Sequence, residues 1–367
     1  MKKLNIGGLV AEVPIVQGGM GVGISLSGLA AAVARTGAIG VIAAAGIGIL
    51  RADALRDFPG ANLRALRGEI RQAKSTTDGI IGVNIMVAMS DFPALATAAM
   101  EEGADIIFSG AGLPLDLPRL RPRDNRTRLV PIVSSARAFR IIATRWLERH
   151  RYAPDAVVVE GPLAGGHLGF RPEQIGDRQY SLDRLVPAVV EEARRFETLS
   201  GRSIPVIAAG GIYTGHDIYR FTQLGAAGVQ MATRFVGTFE CDAAPRFKQA
   251  YLDAGKDDIA IIQSPVGMPG RALRNRFTEA AAAGERRPFH CPYRCISTCD
   301  PDTRPYCIAM ALKNAREGKM EDGFAFAGAN AYRVNEIVSV RELVSEISAE
   351  YACSEAGAKR AESRLAV

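Results

Sequence analysis

The chain has 367 residues, 48% of them hydrophobic, with 38 glycines and a formal net charge of +6. This is enough apolar content for a substantial core, arranged as one large α/β domain or as a domain with a smaller appendage. No apolar run reaches the length that spans a bilayer, and Met1-Lys2-Lys3-Leu4-Asn5-Ile6-Gly7-Gly8 has no long apolar segment of the kind a secretory signal carries; a cytoplasmic location is the expectation.

Along the chain, short β-branched runs alternate with longer helical stretches, the pattern of βα units around a parallel sheet. Strands are predicted at 14–16, 40–44, 80–85, 105–108, 130–133, 156–160, 205–209 and 228–231. Helices are predicted between them, for example at 26–35, 93–102, 136–149, 182–199 and 215–224. Eight apolar strands, most of them followed by a helix, predict a (β/α)8 TIM barrel, with an open doubly wound sheet as the alternative. The residues that follow the strands favour the barrel. They are polar or glycine-rich in turn: Gln17-Gly18-Gly19-Met20-Gly21, Ala45-Gly46-Ile47-Gly48, Asn84, Ser109-Gly110-Ala111-Gly112, Ser134-Ser135, the loop around His167, Ala208-Ala209-Gly210-Gly211-Ile212, and Gln230-Met231-Ala232-Thr233-Arg234. Barrel active sites are built from these C-terminal strand ends.

Regularity breaks near Gly255. Residues 1–255 are read as the barrel, 256–330 as an irregular, cysteine-rich insertion or lid packed on it, and 331–367 as a C-terminal helix and tail. Helices are expected at 306–317 and 340–351, with 357–367 a frayed end.

Charge and cysteines add little by spacing alone. Between Arg119 and Arg151 there are ten arginines and two acids, Asp124 and Glu148, and a second basic stretch runs from Arg271 to Arg294. Neither has the interleaved aromatics or motif of a nucleic-acid binder; a solvated helix face is the expectation, and docking of an acidic or phosphorylated partner the alternative. Cys291, Cys295, Cys299 and Cys307 follow a C-x3-C-x3-C-x7-C spacing that matches none of the common zinc or iron–sulfur patterns. No metal is therefore expected: they are read as packed or redox-sensitive thiols, with a metal or cluster as the alternative.

The loop after the sixth strand is the most informative segment. Val157-Val158-Val159-Glu160 runs into Gly161-Pro162-Leu163-Ala164-Gly165-Gly166-His167-Leu168-Gly169. The glycines let the backbone approach a ligand closely, and His167 is the one side chain there that could move a proton near neutral pH. Further on, Gly210-Gly211 exposes backbone N–H groups ahead of a helix whose dipole would favour an anion. Thr233 adds a hydroxyl after the eighth strand. Barrels commonly hold a phosphate between these two loops.

These segments together resemble the nitronate monooxygenase (2-nitropropane dioxygenase) family and, more distantly, the flavin-dependent enoyl-acyl carrier protein reductases. The resemblance rests on Gln17-Gly18-Gly19-Met20, Gly82-Val83-Asn84, Ala164-Gly165-Gly166-His167-Leu168-Gly169, Ala208-Ala209-Gly210-Gly211-Ile212 and Gly228-Val229-Gln230-Met231-Ala232-Thr233-Arg234-Phe235, in order over roughly residues 8–250. It implies an FMN-dependent oxidoreductase with the flavin ring across the strand ends. Gln17, Gly18, Gly19 and Met20 would lie at the flavin with Gly165 and Gly166, Asn84 would bond the ring, and Gly210, Gly211, Gln230, Met231, Ala232 and Thr233 would grip the phosphate. His167 would be the catalytic histidine. Leu168 departs from the family's frequent arginine, and Ala232 from a frequent glycine. The implied substrate is a small molecule, a nitronate oxidised with dioxygen to a carbonyl compound and nitrite; the alternative is NAD(P)H-dependent reduction of an enoyl thioester. Neither nucleic acid nor membrane is an expected partner, and an oligomer is compatible with the reading.

Overall fold

Each predicted barrel strand forms, with its ends within two residues of the expected positions. The computed structural model describes residues 1–365, with side chains through residue 361; Ala366 and Val367, the end of the expected tail, lie outside the described residues. A hairpin of β1 (Leu4–Ile6) and β2 (Leu9–Ala11) comes first. The wall then takes β3 (Ile15–Gln17), β4 (Gly40–Ala43), β5 (Ile81–Met86), β6 (Ile106–Gly110), β7 (Arg128–Val133) and β8 (Val157–Glu160). The two-residue β9 (Gly166–His167) leaves the wall, which resumes with β10 (Val206–Ala209) and β11 (Gly228–Met231). Outside it lie α1 (Ser27–Ala34), α2 (Phe58–Thr76), α3 (Phe92–Glu101), α4 (Ala136–His150), α5 (Leu182–Ser200) and α6 (Gly215–Gln223).

The wall strands pair in parallel in the order β3-β11-β10-β8-β7-β6-β5-β4. Closure comes at Ile39, just before β4: its N–H donates to Ile15 O at 2.9 Å and its carbonyl accepts from Gln17 N at 2.9 Å. The sheet is therefore a barrel and not an open doubly wound layer. Gln17 reinforces this seam. Its fully buried amide accepts from Val41 N at 2.9 Å and donates to Gly18 O at 2.6 Å.

Strand alternation divides the apolar residues into two cores. Val16, Val41, Ile106, Phe108, Val130, Ala156, Val158, Ile207 and Ala209 fill the lumen, while their neighbours pack outward under the helices. In α4, Phe139, Ile142, Ala143 and Trp146 recur at helical spacing and are all fully buried. Ser135 caps the helix by accepting from Ala138 N, and the Trp146 indole donates to Pro114 O at 2.8 Å. Leu4, Ile6 and Ala11 of the hairpin plug the lumen floor; burying a side chain the size of Leu4 or Ile6 is worth roughly 1.5–3 kcal/mol.

After β11 come α7 (Thr233–Val236), α8 (Pro245–Leu252), and an antiparallel hairpin of β12 (Ile259–Gln263) and β13 (Pro269–Leu273). Residues 256–330 are thus more regular than expected: they also contain α9 (Arg276–Ala282) and α10 (Ile308–Arg316). The closing helix α11 (Val340–Leu365) runs well past residue 351. Ala, Lys, Arg and Glu dominate its last turns, and these are strong helix formers even without a packed face. Among the described residues no helix is long and apolar enough to cross a membrane.

Candidate active site

The lumen mouth is lined by the inward residue at each strand's C-terminal end. On β8, Ala156 and Val158 belong to the lumen core and Val157 and Val159 to the outer core, so Glu160 points into the mouth. The same alternation places Asn84 inward on β5, and Gln230 inward on β11 between the outward Val229 and Met231. Among the described residues, none of these three side chains has a hydrogen-bond or ion-pair partner. Polar side chains at a barrel mouth that find no protein partner are available to a ligand.

Gly18 and Gly19 complete the near side. Gly18 N donates to Met231 O at 2.7 Å and its α-carbon faces the Ala232 methyl, while Gly19 lies against Asn84. Met20 N donates to Ser25 Oγ at 2.9 Å. Met231 sends its side chain into the outer core, and the Gln17 amide is committed to the seam, so these two reach the mouth by backbone alone. Leu168 is likewise buried in the outer core; the aliphatic residue after His167 does not line the site.

At the far side, Gly210 and Gly211 have φ of 91° and 85°, backbone that side chains rarely adopt. A Cβ at Gly210 would stand 2.8 Å from Gly161 O, and one at Gly211 2.8 Å from the Leu163 Cβ. Among the described residues the Gly211 and Ile212 N–H groups have no acceptor. The helix that follows contributes less than its sequence suggests. The N-terminus of α6 is already filled: Asp217 accepts from Tyr213 N and Thr214 N at 3.0 Å each, and Glu350 of α11 accepts from Gly215 N at 2.7 Å. Two carboxylates occupy the positive end of that dipole, which leaves the glycine amides as the anion-facing donors.

His167 is held by a neighbour the sequence could not show. β9 pairs antiparallel with β13, with His167 opposite Gly270 and Gly166 opposite Arg271. This brings in the turn after β12, where Ser264 Oγ lies 2.8 Å from His167 Nε2. The Phe326 ring packs edge-on at 4.9 Å between centroids. Enclosure by these groups disfavours the charged imidazolium and pushes the His167 pKa down to about 4. Glu160 responds in the opposite sense, because burial disfavours a carboxylate: its pKa is pushed up to about 7. Glu160 is thus the group poised near neutrality. Its sequence signal was a charged residue ending the apolar run Val157-Val158-Val159.

Residues 324–330 close the site. Ala327 N donates to Arg271 O at 3.0 Å, Gly328 N to Thr233 Oγ1 at 3.3 Å, and Asn330 Nδ2 to Gly211 O at 2.8 Å. A Cβ on Gly165 would stand 2.6 Å from the Ala327 and Gly328 backbone. The segment therefore bridges the loops after β8, β10 and β11. Arg271 fixes the loop before the glycines: its buried guanidinium donates to Ala164 O at 2.7 Å and to Pro162 O. By contrast, the arginines of 119–151 do not make one patch. Arg128 bonds Gly7 O beneath the barrel, Arg140 pairs with Glu192, and Arg145 pairs with Asp116.

A closed (β/α)8 barrel with an unpartnered polar mouth, an open glycine grip and an enclosed histidine is the arrangement of a cofactor-binding barrel enzyme. Comparison with known proteins places it further: the family described as nitronate monooxygenase matches residues 3–350, and the chain belongs to that family, as a flavin-type oxidoreductase. The nitronate monooxygenase of Paraburkholderia phytofirmans is 26% identical, over 92% of both chains. The (3aS,4S,5R,7aS)-5-hydroxy-7a-methyl-1-oxo-octahydro-1H-indene-4-carboxyl-CoA dehydrogenase of Mycobacterium tuberculosis is 30% identical, over 75% of this chain and 67% of that one. The chain spans about half to two thirds of the length of three such curated relatives, at 67%, 62% and 51%. Among solved structures, FabK from Thermotoga maritima superposes with a TM-score of 0.72 at 28% identity, over 95% of this chain and 96% of that one. The nitroalkane oxidase of Streptomyces ansochromogenes shares the fold, with a TM-score of 0.72 at 22% identity, over 94% and 97% of the two chains.

Proposed function

We propose that the chain is a cytoplasmic FMN enzyme that oxidises alkyl nitronates with dioxygen to carbonyl compounds and nitrite. The observation that carries this reading is the enclosed, neutral His167 above a mouth of unpartnered polar groups. In this reading residues 1–255 are the FMN-binding barrel, 256–330 its lid, and 331–367 a C-terminal helix and tail. Gly18, Gly19 and Met20 lie along the ring with Gly165 and Gly166, while Asn84 and Gln230 offer it amide hydrogen bonds. Gly210, Gly211, Ala232 and Thr233 hold the phosphate, and the Gln17 and Met231 backbones fix the strand ends behind it.

FMN supplies the electron chemistry. The protein's own groups bind, orient and exclude water. A histidine with a pKa of about 4 is a weak base at neutral pH, poorly matched to removing an α-proton from a neutral nitroalkane. It is well matched to hydrogen-bonding an oxygen of a nitronate, which arrives already deprotonated. Glu160 in its acid form donates without adding charge; once ionised, it repels an anionic substrate. The test is to identify the flavin bound to the purified protein and then to follow nitrite release from a nitronate in air. FMN and nitrite are expected, and a failure to release nitrite removes the nitronate reading.

One observation favours a second reading, NAD(P)H-dependent reduction of an enoyl thioester. The Mycobacterium relative is named for a carboxyl-CoA compound. Anaerobic mixing separates the two: NAD(P)H bleaches the flavin of a reductase, whereas nitronate alone bleaches that of a nitronate monooxygenase.

A further inference from the structure

Four thiols with no part in the flavin site converge on one place. Cys291, Cys295 and Cys307 pack on the same small core, which contains Tyr293 and Phe58. Each of the four, Cys299 included, lies within electrostatic reach of the other three. All are free of disulfides and none is fully exposed.

The backbone is shaped around the sulfurs. Arg294 has a φ of 43°, an uncommon conformation for a residue with a side chain. The turn it makes directs its N–H onto Cys291 Sγ at 3.3 Å. Cys307 stands at the N-cap of α10, beside the first N–H groups of that helix. A backbone N–H aimed at a cysteine sulfur is the kind of hydrogen bond that tunes a cluster-bound thiolate.

We propose that Cys291, Cys295, Cys299 and Cys307 ligate an iron–sulfur cluster, one thiolate to each iron of a [4Fe–4S] cube. Among the described residues no three His, Cys, Asp or Glu side chains stand close enough for a single ion. The cluster takes the place of a core in residues 285–306, which form no helix or strand of their own. It is also stitched to the flavin face. Ser90 N donates to Cys295 O at 3.2 Å, Ser297 N to Ala88 O at 3.0 Å, and Ile296 bridges Met89, all on the loop that follows Asn84 and β5.

The test is metal content. Full-length protein purified without oxygen and reconstituted with ferrous iron and sulfide is expected to hold about four irons and four acid-labile sulfides per chain. It should show broad charge-transfer absorbance beneath the flavin bands and an EPR signal after dithionite reduction. Cys295→Ser and Cys307→Ser should each lose most of the iron, whereas Cys353→Ser, at an exposed site on α11, should keep it. Circular dichroism of each variant reports whether the barrel is folded. Wild-type protein that takes up no iron overturns the proposal without reference to any variant. So does one zinc per chain without sulfide, or unchanged iron in both cluster variants.

Discussion

The barrel wall and the 256–330 segment meet at the mouth and perturb ionisable groups in opposite directions. From the wall, β8 carries Glu160 inward, and burial raises its pKa to about 7. From the segment, Ser264 at the β12–β13 turn reaches His167, with Phe326 beside it, and enclosure lowers the His167 pKa to about 4. Both groups are neutral over much of the range between those values. The difference teaches that the residue best suited to exchange protons near neutrality is the carboxyl on the regular wall, not the histidine on the glycine loop. Two titratable groups with pKa values pushed apart by their surroundings are a common basis for separate roles in one site.

The sharpest way to break this comparison is to remove the histidine. His167→Ala is expected to keep the bound flavin and lower nitronate turnover by roughly 10²–10³-fold, the loss that goes with one preorganised hydrogen-bond donor; unchanged turnover would take His167 out of the chemistry. Next is the pH dependence of stability in flavin-free protein. Glu160 ionises near its ordinary 4.5 when unfolded and near 7 when folded. Between those values the folded chain holds a proton that the unfolded chain has released, so stability falls as pH rises through this window, by about 3 kcal/mol in total. His167 does the reverse: the unfolded chain binds the extra proton between 4 and its ordinary 6.5, so stability rises with pH there. In the parent protein the two slopes largely cancel between about pH 4.5 and 6.5. Thermal melts across that range should therefore climb with pH in Glu160→Gln and descend in His167→Gln. Flat profiles in both variants would defeat the assignment.

Smaller effects probe the segment itself. Gly165→Val drives a side chain into the Ala327 and Gly328 backbone and should weaken flavin retention about tenfold, through strain on the order of 1–3 kcal/mol. Equilibrium dialysis against free FMN reads this directly, and undiminished retention would separate the segment from the grip. Ser264→Ala removes the hydrogen bond between Ser264 Oγ and His167 Nε2, at a cost of about 1 kcal/mol. It should alter turnover a few-fold with flavin content unchanged. An effect as large as that of His167→Ala would instead make the serine a direct participant.

The barrel was legible because its information is local. Val157-Val158-Val159 and its counterparts are β-branched runs of strand length, and Gly210-Gly211 and Gln17-Gly18-Gly19-Met20 mark where they end. Less visible were the β1–β2 hairpin, whose three-residue strands are too short for any periodicity, and α2. Glu160 was read as the last residue of a strand, because only the assignment of its neighbours to lumen or outer core shows which way it points. Gln17 and Met231 carried the right motif, but their side chains are spent on the seam and the outer core.

The sequence by itself determined the eight-strand barrel, the ring of glycines and polar residues at its strand ends, and the family. Hydrophobic periodicity and turn chemistry act over a few residues and survive without a fold. Tertiary structure alone decided the rest. It closed the wall at Ile39, and it filled the α6 N-terminus with Asp217 and Glu350. It paired β9 with a strand a hundred residues away, and it gathered four cysteines around one point. These outcomes depend on which distant groups share a low-dielectric space, and that is set only when the chain packs.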